Sequence, residues 1–280
     1  MMPLTPTFRL PARAPAGRPL IALHASGASG RQWRPLAEAI DDTRLVVAPD
    51  LHGHGRGPAP PSAPGSIVLA DASRIATMAR SVPGGVHLVG HSYGAAVALR
   101  VARDHPCAVR SLLLVEPVAF RVLFDVHGRR PPAAEVHEVA STIARHVDEG
   151  FAGRAAQRFV EYWGGGRAWN AMDDIARATT AARMPAIASQ FEGLARHAPS
   201  LAECGRLSMP VLLIAGSRTR EPAARIVDLL AGVMPDARVQ RLDGGDHLEA
   251  LVSPARIISR IAEFLADVDV ARASRWAEAA

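Results

Sequence analysis

The segment Gly90-His91-Ser92-Tyr93-Gly94 has the residue types and spacing that point most plainly to chemistry. It follows the apolar run Val86-His87-Leu88-Val89 and leads into a helical pattern over 95–103. A G-x-S-x-G stretch between a buried strand and a helix makes a tight, strained turn. Small residues two positions either side of the serine let the backbone cross without collision. The turn lifts Oγ clear of the sheet, and the helix starting there points free N–H groups at any anion formed beside it. The chemistry would be nucleophilic attack by Ser92, which requires a base within hydrogen-bond reach. The pattern alone is loose, and its weight comes from the strand–turn–helix setting.

That setting extends along the chain. Strands are predicted at 19–23, 45–48, 86–89 and 112–115, with helices at 32–40, 67–81 and 95–103 between and after them. In the first helix Trp33, Leu36, Ala37 and Ile40 share a face, and Pro83-Gly84-Gly85 follows the second as a stop. The rhythm resumes late, with strands at 211–214 and 237–242 and helices at 222–233 and 254–265. Strands without polar alternation, each followed by a helix, predict an α/β fold with a mostly parallel sheet flanked by helices. Between 118 and 209 the alternation gives way to helical segments at 133–148, 152–162, 172–182 and 187–195. An insertion after the fourth strand fits a lid over the carboxyl edge of the sheet, where such sheets hold ligands. The expected organisation is a core of 1–117 and 210–280 with a helical cap at 118–209.

Four motifs in order carry a resemblance. They are the turn Leu23-His24-Ala25-Ser26-Gly27, the loop Asp50-Leu51-His52-Gly53-His54-Gly55, the Ser92 elbow, and Gly245-Asp246-His247. Over about 19–265 the chain resembles the α/β-hydrolase family, in its serine-nucleophile branch with a helical cap. The resemblance implies His247 as the base. It follows the last strand in a glycine-bearing turn and lies C-terminal to Ser92, as the family's chain order requires. Of the eleven histidines, His52 and His54 are expected to shape a turn, His24 and His91 to pack beside the site, and His87 to sit mid-strand.

The resemblance also implies two backbone N–H donors for an oxyanion. One belongs to Tyr93. The other belongs to the turn where the family usually has His-Gly-x, here His24-Ala25-Ser26, which makes Ser26 the expected donor and Ala25 the alternative. The acid departs from the family's pattern. Its usual Gly-x-x-Asp turn reads Gly216-Ser217-Arg218-Thr219, and threonine cannot hold an imidazolium through charge. Glu116, at the end of the fourth strand where some relatives carry the acid, is preferred. Glu221, two residues past the vacant position, is the alternative and is also where a helix-start carboxylate is expected. A bare Ser–His dyad is a third possibility, and Asp246 should project elsewhere.

A serine at the elbow argues against the aspartate-dependent dehalogenases and epoxide hydrolases. It implies acyl chemistry through an acyl-enzyme, with a small apolar ester as the expected substrate and amide, thioester or carbon–carbon hydrolysis behind it. Tyr162, Trp163 and Trp169, flanking Gly164-Gly165-Gly166, are expected near the pocket mouth or as glue between insertion and core. Two readings stand outside hydrolysis. One is an acyltransferase or other non-hydrolytic enzyme of the same fold, and the other is an inactive small-molecule-binding protein.

Composition narrows the partners. The net charge of +5 comes from 32 basic residues, every one arginine and spread along the chain, so no nucleic-acid surface is expected. Cys107 and Cys204 have no CxxC partner, and neither a metal nor an organic cofactor is expected. Residues 1–19 lack an apolar stretch of signal-peptide length and no run suits a membrane span, so a cytoplasmic protein without membrane partners is expected.

Overall fold

The computed structural model describes residues 17–63 and 65–278; the proline- and arginine-rich stretch at 1–16 lies outside them. Strands β1 (Gly17–Leu23), β2 (Arg44–Val47), β3 (Val86–His91), β4 (Val109–Val115), β5 (Val211–Gly216) and β6 (Ala237–Leu242) form one sheet. Every pairing is parallel, in the order β2-β1-β3-β4-β5-β6. The central strands β3, β4 and β5 are almost entirely buried because both faces of the sheet are covered. In β4, Leu112 and Leu114 enter the core on one face while Leu113 and Val115 enter the core on the other. Each such side chain contributes about 1.5–3 kcal/mol by leaving water. The edge strand β6 is largely exposed, which its sequence Ala-Arg-Val-Gln-Arg-Leu allows.

The smaller core packs α1 (Arg34–Ala39), entered through a 3-10 turn that buries Trp33, against one face. The other face carries α2 (Ile67–Arg80) and α3 (Tyr93–Asp104). Between β4 and β5 the chain makes α4 (Phe120–His127), α5 (Ala133–Asp148), α6 (Ala152–Gly164), α7 (Asp174–His197) and the short α8 (Leu201–Cys204). Then α9 (Glu221–Val233) follows β5 onto the larger core, while α10 (Glu249–Val252) and α11 (Ala255–Glu278) close the chain on the smaller one.

The structure corrects the sequence reading in this insertion. The helices expected at 172–182 and 187–195 are one 24-residue helix, α7, with Pro185 inside it. Proline in a helix interior costs about 3 kcal/mol. The offset is a continuous buried face of Met184, Ile187, Phe191 and Leu194, at i, i+3, i+7 and i+10, together with Asp173, whose carboxylate caps the Ala176 N–H. Helix α4 had no predicted counterpart, and α11 runs well past the expected end at 265.

Candidate active site

The sheet register sets the site. Leu23 pairs with Gly90, His91 with Val115, Val115 with Ile214, and Gly216 with Leu242, so five strands end along one edge. The strand order reverses at β1 and β3, and a crevice at the carboxyl ends forms where neighbouring crossovers diverge. The turn 24–27 leaves β1 there, Ser92 leaves β3, and Glu116 leaves β4.

Ser92 has φ +54° and Glu116 φ +49°, and they are the only non-glycine residues in left-handed backbone among those described. Each such residue costs on the order of 1–3 kcal/mol and persists only when its surroundings over-determine it. Here the Ser92 N–H donates to Val115 O at 2.9 Å, and the Glu116 N–H donates to Ile214 O at 2.8 Å. The flanking glycines are required by contact. A Cβ on Gly90 would strike the Gly94 carbonyl, and one on Gly94 would strike the carbonyls of Leu23 and His24. The two strained residues face one imidazole. His247 Nε2 lies 3.0 Å from Ser92 Oγ, and its Nδ1 lies 3.3 Å from Glu116 Oε2. A carboxylate accepts the Nδ1 proton, which leaves Nε2 to accept from the serine hydroxyl.

Glu116 is 2% exposed, so its charge needs partners. The Gly216 N–H donates to Oε1 at 2.6 Å and the Thr219 hydroxyl donates to Oε2 at 2.5 Å. Burial pushes its pKa up, but hydrogen bonds from His247, Thr219 and Gly216 outweigh that and hold it below the ordinary glutamate range. Glu221 is exposed at the start of α9, and among the described residues the carboxylate that pairs with His247 is that of Glu116. Asp246 turns to its own backbone, accepting from the Leu248 N–H.

Tyr93 is the first residue of α3, so its N–H has no intrahelical acceptor. Its phenol donates to the buried Asp71, which also accepts from the His52 N–H and faces His52 Nδ1 at 2.7 Å. Asp71 was not singled out from the sequence, since a lone aspartate inside a helical pattern reads as a solvated position. In the turn after β1, the Ala25 N–H donates to Gln32 Oε1, whereas the Ser26 N–H makes no hydrogen bond among the described residues. The Gly27 N–H donates to His54 Nε2. Gln190 of α7 accepts from Ser26 Oγ at 2.6 Å, and Arg183 of α7 donates to the Gly27 carbonyl. His24 and His91 are wholly buried beside the elbow and neutral, pushed down to about 4 and about 3. Burial is the main cause, followed by the neighbouring His54 and His247 respectively.

The three aromatic candidates separate. Trp163 stacks on His247, ring centroids 3.7 Å apart at 21°. Tyr162 is buried edge-on to Trp163, with the Arg220 guanidinium 4.3 Å above its ring. Trp169 is half-buried against the larger core, with the Arg177 guanidinium 5.6 Å from its ring. With this covering Ser92 is 5% exposed and His247 3%. Among the described residues no group of His, Cys, Asp and Glu side chains is placed to hold a metal ion, and no helix is long and apolar enough to cross a membrane.

The pimeloyl-[acyl-carrier protein] methyl ester esterase of Methylococcus capsulatus is 29% identical over 260 residues, covering 89% of this chain and 95% of that protein. Lipase LipV of Mycobacterium tuberculosis is 36% identical over 98 residues, a stretch spanning 35% of this chain and 36% of the lipase. Among solved structures, a thermophilic esterase from Thermogutta terrifontis superposes with a TM-score of 0.71 at 22% identity, covering 91% of this chain and 92% of its own. An enol-lactonase from Burkholderia xenovorans gives 0.71 at 16% identity, covering 91% and 92%. The sequence model described as the alpha/beta hydrolase family matches residues 20–260. With that match over most of its length, the chain belongs to the alpha/beta hydrolase family and is one of its enzymes.

Proposed function

We propose that the protein is a serine esterase acting on a small, apolar ester through an acyl-enzyme on Ser92. The observation carrying this reading is the unbroken chain Ser92 Oγ, His247 Nε2, His247 Nδ1, Glu116 Oε2, with strained backbone at both of its ends. Ser92 attacks the ester carbonyl as His247 takes its proton, and the N–H groups of Tyr93 and Ser26 hold the oxyanion. His247 then protonates the departing alcohol, and water activated by the same imidazole releases the acid. Glu116 fixes the imidazole's tautomer and balances the imidazolium.

Residues 118–209 serve in this reading as a cap over a core of 1–117 and 210–280. Phe159 and Ile187 lie against Gly27 of the oxyanion turn, and Phe191 stacks on Phe120 and meets Phe159 edge-on. This apolar wall suits an unbranched or small acyl chain better than a charged one. The relative named for methyl ester hydrolysis supports an ester over an amide.

A fluorophosphonate probe tests the nucleophile. Wild-type protein should be labelled and Ser92→Ala should not. No labelling of folded wild type would overturn Ser92 as an activated nucleophile. Turnover of p-nitrophenyl esters of graded acyl length should then favour short chains, and release of free acid even with added alcohol would separate hydrolysis from acyl transfer.

A further inference from the structure

A second hydrogen-bonded chain runs behind the reacting groups, and its donor order can be read without ambiguity. The Ala25 N–H can only donate, so the Gln32 atom 3.0 Å away is Oε1. The Gln32 amide nitrogen therefore faces His91 Nδ1 at 2.9 Å, and it too can only donate. His91 Nδ1 must accept, which leaves the ring proton on Nε2. That nitrogen lies 2.9 Å from the His247 carbonyl oxygen, which can only accept. All three contacts agree on one tautomer and one amide orientation, a consistency that chance packing does not require. His91 comes from β3, Gln32 from the turn before α1, and His247 from the loop after β6, so the chain joins three separate segments.

We propose that Gln32 and His91 are positioning residues that lock the loop carrying His247 to the turn carrying the oxyanion donor, and that Gln32, by occupying the Ala25 N–H, reserves the donor role for Ser26. The proposal rests on the reading of Ser92, His247 and Ser26 given above. Neither residue touches the reacting atoms. Each fixes backbone: His91 holds the carbonyl of the base itself, and Gln32 holds the amide next to the expected oxyanion donor. A displacement of about 1 Å at such groups costs on the order of a hundredfold in rate. The charge state matters as well. The ring of His91 is 5.5 Å from that of His247 and is also faced by Glu116 and His24. A protonated His91 would turn an N–H against the Gln32 amide, and its burial opposes that state.

The test combines kinetics with histidine-ring 15N NMR. In wild type His91 should show unprotonated Nδ1 and protonated Nε2. Gln32→Leu, which leaves the Ala25 N–H and His91 Nδ1 unpaired, should lower kcat per titrated Ser92 by about ten- to a hundredfold, with KM within about threefold. Gln32→Glu keeps the shape and the acceptor for Ala25, and when ionised, at a pH above its carboxyl pKa, it demands a proton on His91 Nδ1. Its His91 spectrum should change to the Nδ1-protonated or doubly protonated form, with kcat reduced. Should Gln32→Leu not fold, the wild-type ring spectrum and Gln32→Glu still decide the matter. A wild-type His91 protonated on Nδ1, or a folded Gln32→Leu with kcat within about twofold of wild type, overturns the proposal. Absence of Ser92 labelling in wild type overturns the underlying reading instead, and the proposal with it.

Discussion

The Thr219 hydroxyl donates to Glu116 Oε2, the same carboxylate oxygen that faces His247 Nδ1. Thr219 stands three residues after Gly216, where the family resemblance leads one to expect an aspartate. In effect a hydroxyl occupies the position of the expected carboxylate, and a carboxylate from another strand takes up the place beside His247. The carboxylate that faces His247 comes from the end of β4, and the loop after β5 supplies the Thr219 hydroxyl and the Gly216 N–H that help hold its pKa down. Both oxygens of a buried carboxylate are satisfied, which is the condition for holding charge away from water.

If this exchange is the working arrangement, the two glutamates should respond very differently. Glu116→Gln keeps the shape but presents an amide to His247 Nδ1 and loses the counter-charge. It should lower kcat/KM by orders of magnitude, up to about 10⁴. Glu221→Gln should stay within a few-fold of wild type. Steady-state turnover of one p-nitrophenyl ester by both variants is sufficient, and equal losses would reject Glu116 as the acid.

The exchange can also be reversed by mutation. Thr219→Asp alone sets a second carboxylate against Glu116, and two carboxylates at that distance cannot both ionise. Activity should fall below that of Thr219→Val, which loses only one charge-assisted hydrogen bond, worth about 1.5–3 kcal/mol. Combining Thr219→Asp with Glu116→Gln should restore part of the loss, because a single carboxylate is again present. A double variant no more active than Glu116→Gln alone would mean that the loop cannot deliver the acid.

The sheet, its two-sided cover and the elbow were legible because they depend on local patterns: apolar runs, helical spacing and glycines flanking a serine. Ser92, His247 and Glu116, three residues the sequence singles out, lie along one line of hydrogen-bond contacts. What stayed hidden depends on contacts distant in sequence. Thr219 was read as a gap because its partner, Glu116, is 103 positions away. Gln32, Asp71 and Gln190 look like ordinary polar residues until the fold buries them. The segments expected at 172–182 and 187–195 leave a gap around Pro185 that the structure fills, because the apolar face of Met184, Ile187, Phe191 and Leu194 keeps α7 whole.

Acid should destabilise the protein earlier than carboxylate titration alone would. His24 and His91 titrate at about 4 and about 3 in the folded protein, against 6.5 when free. As pH falls below 6.5 the unfolded chain takes up protons that the native state refuses, so stability drops from there and the loss is complete near their folded values. Each group adds up to about 1.4 kcal/mol per pH unit in that window. Glu116, also depressed, adds a loss with the same sign below the ordinary glutamate range. Urea midpoints should fall between pH 6.5 and 4, and His24→Gln should flatten that slope. A slope unchanged in the variant would show that His24 is not the group being titrated.

Trp163 brings the insertion into direct contact with His247. Its indole lies face to face with the His247 imidazole, and Ser92 is nearly inaccessible beneath. In the proposed mechanism His247 becomes an imidazolium during turnover, and a π face beside that cation is worth about 1–2 kcal/mol. Trp163→Ala should therefore lower kcat by roughly five- to thirtyfold on a small ester, while Trp163→Phe keeps most of it. Removing the ring also opens a path to Ser92. The ratio of labelling rates for a bulky against a small fluorophosphonate cancels the chemical defect, and in Trp163→Ala this ratio should rise. An unchanged ratio with reduced kcat would assign Trp163 a purely electrostatic role. Unchanged kcat with a raised ratio would make it a steric door alone.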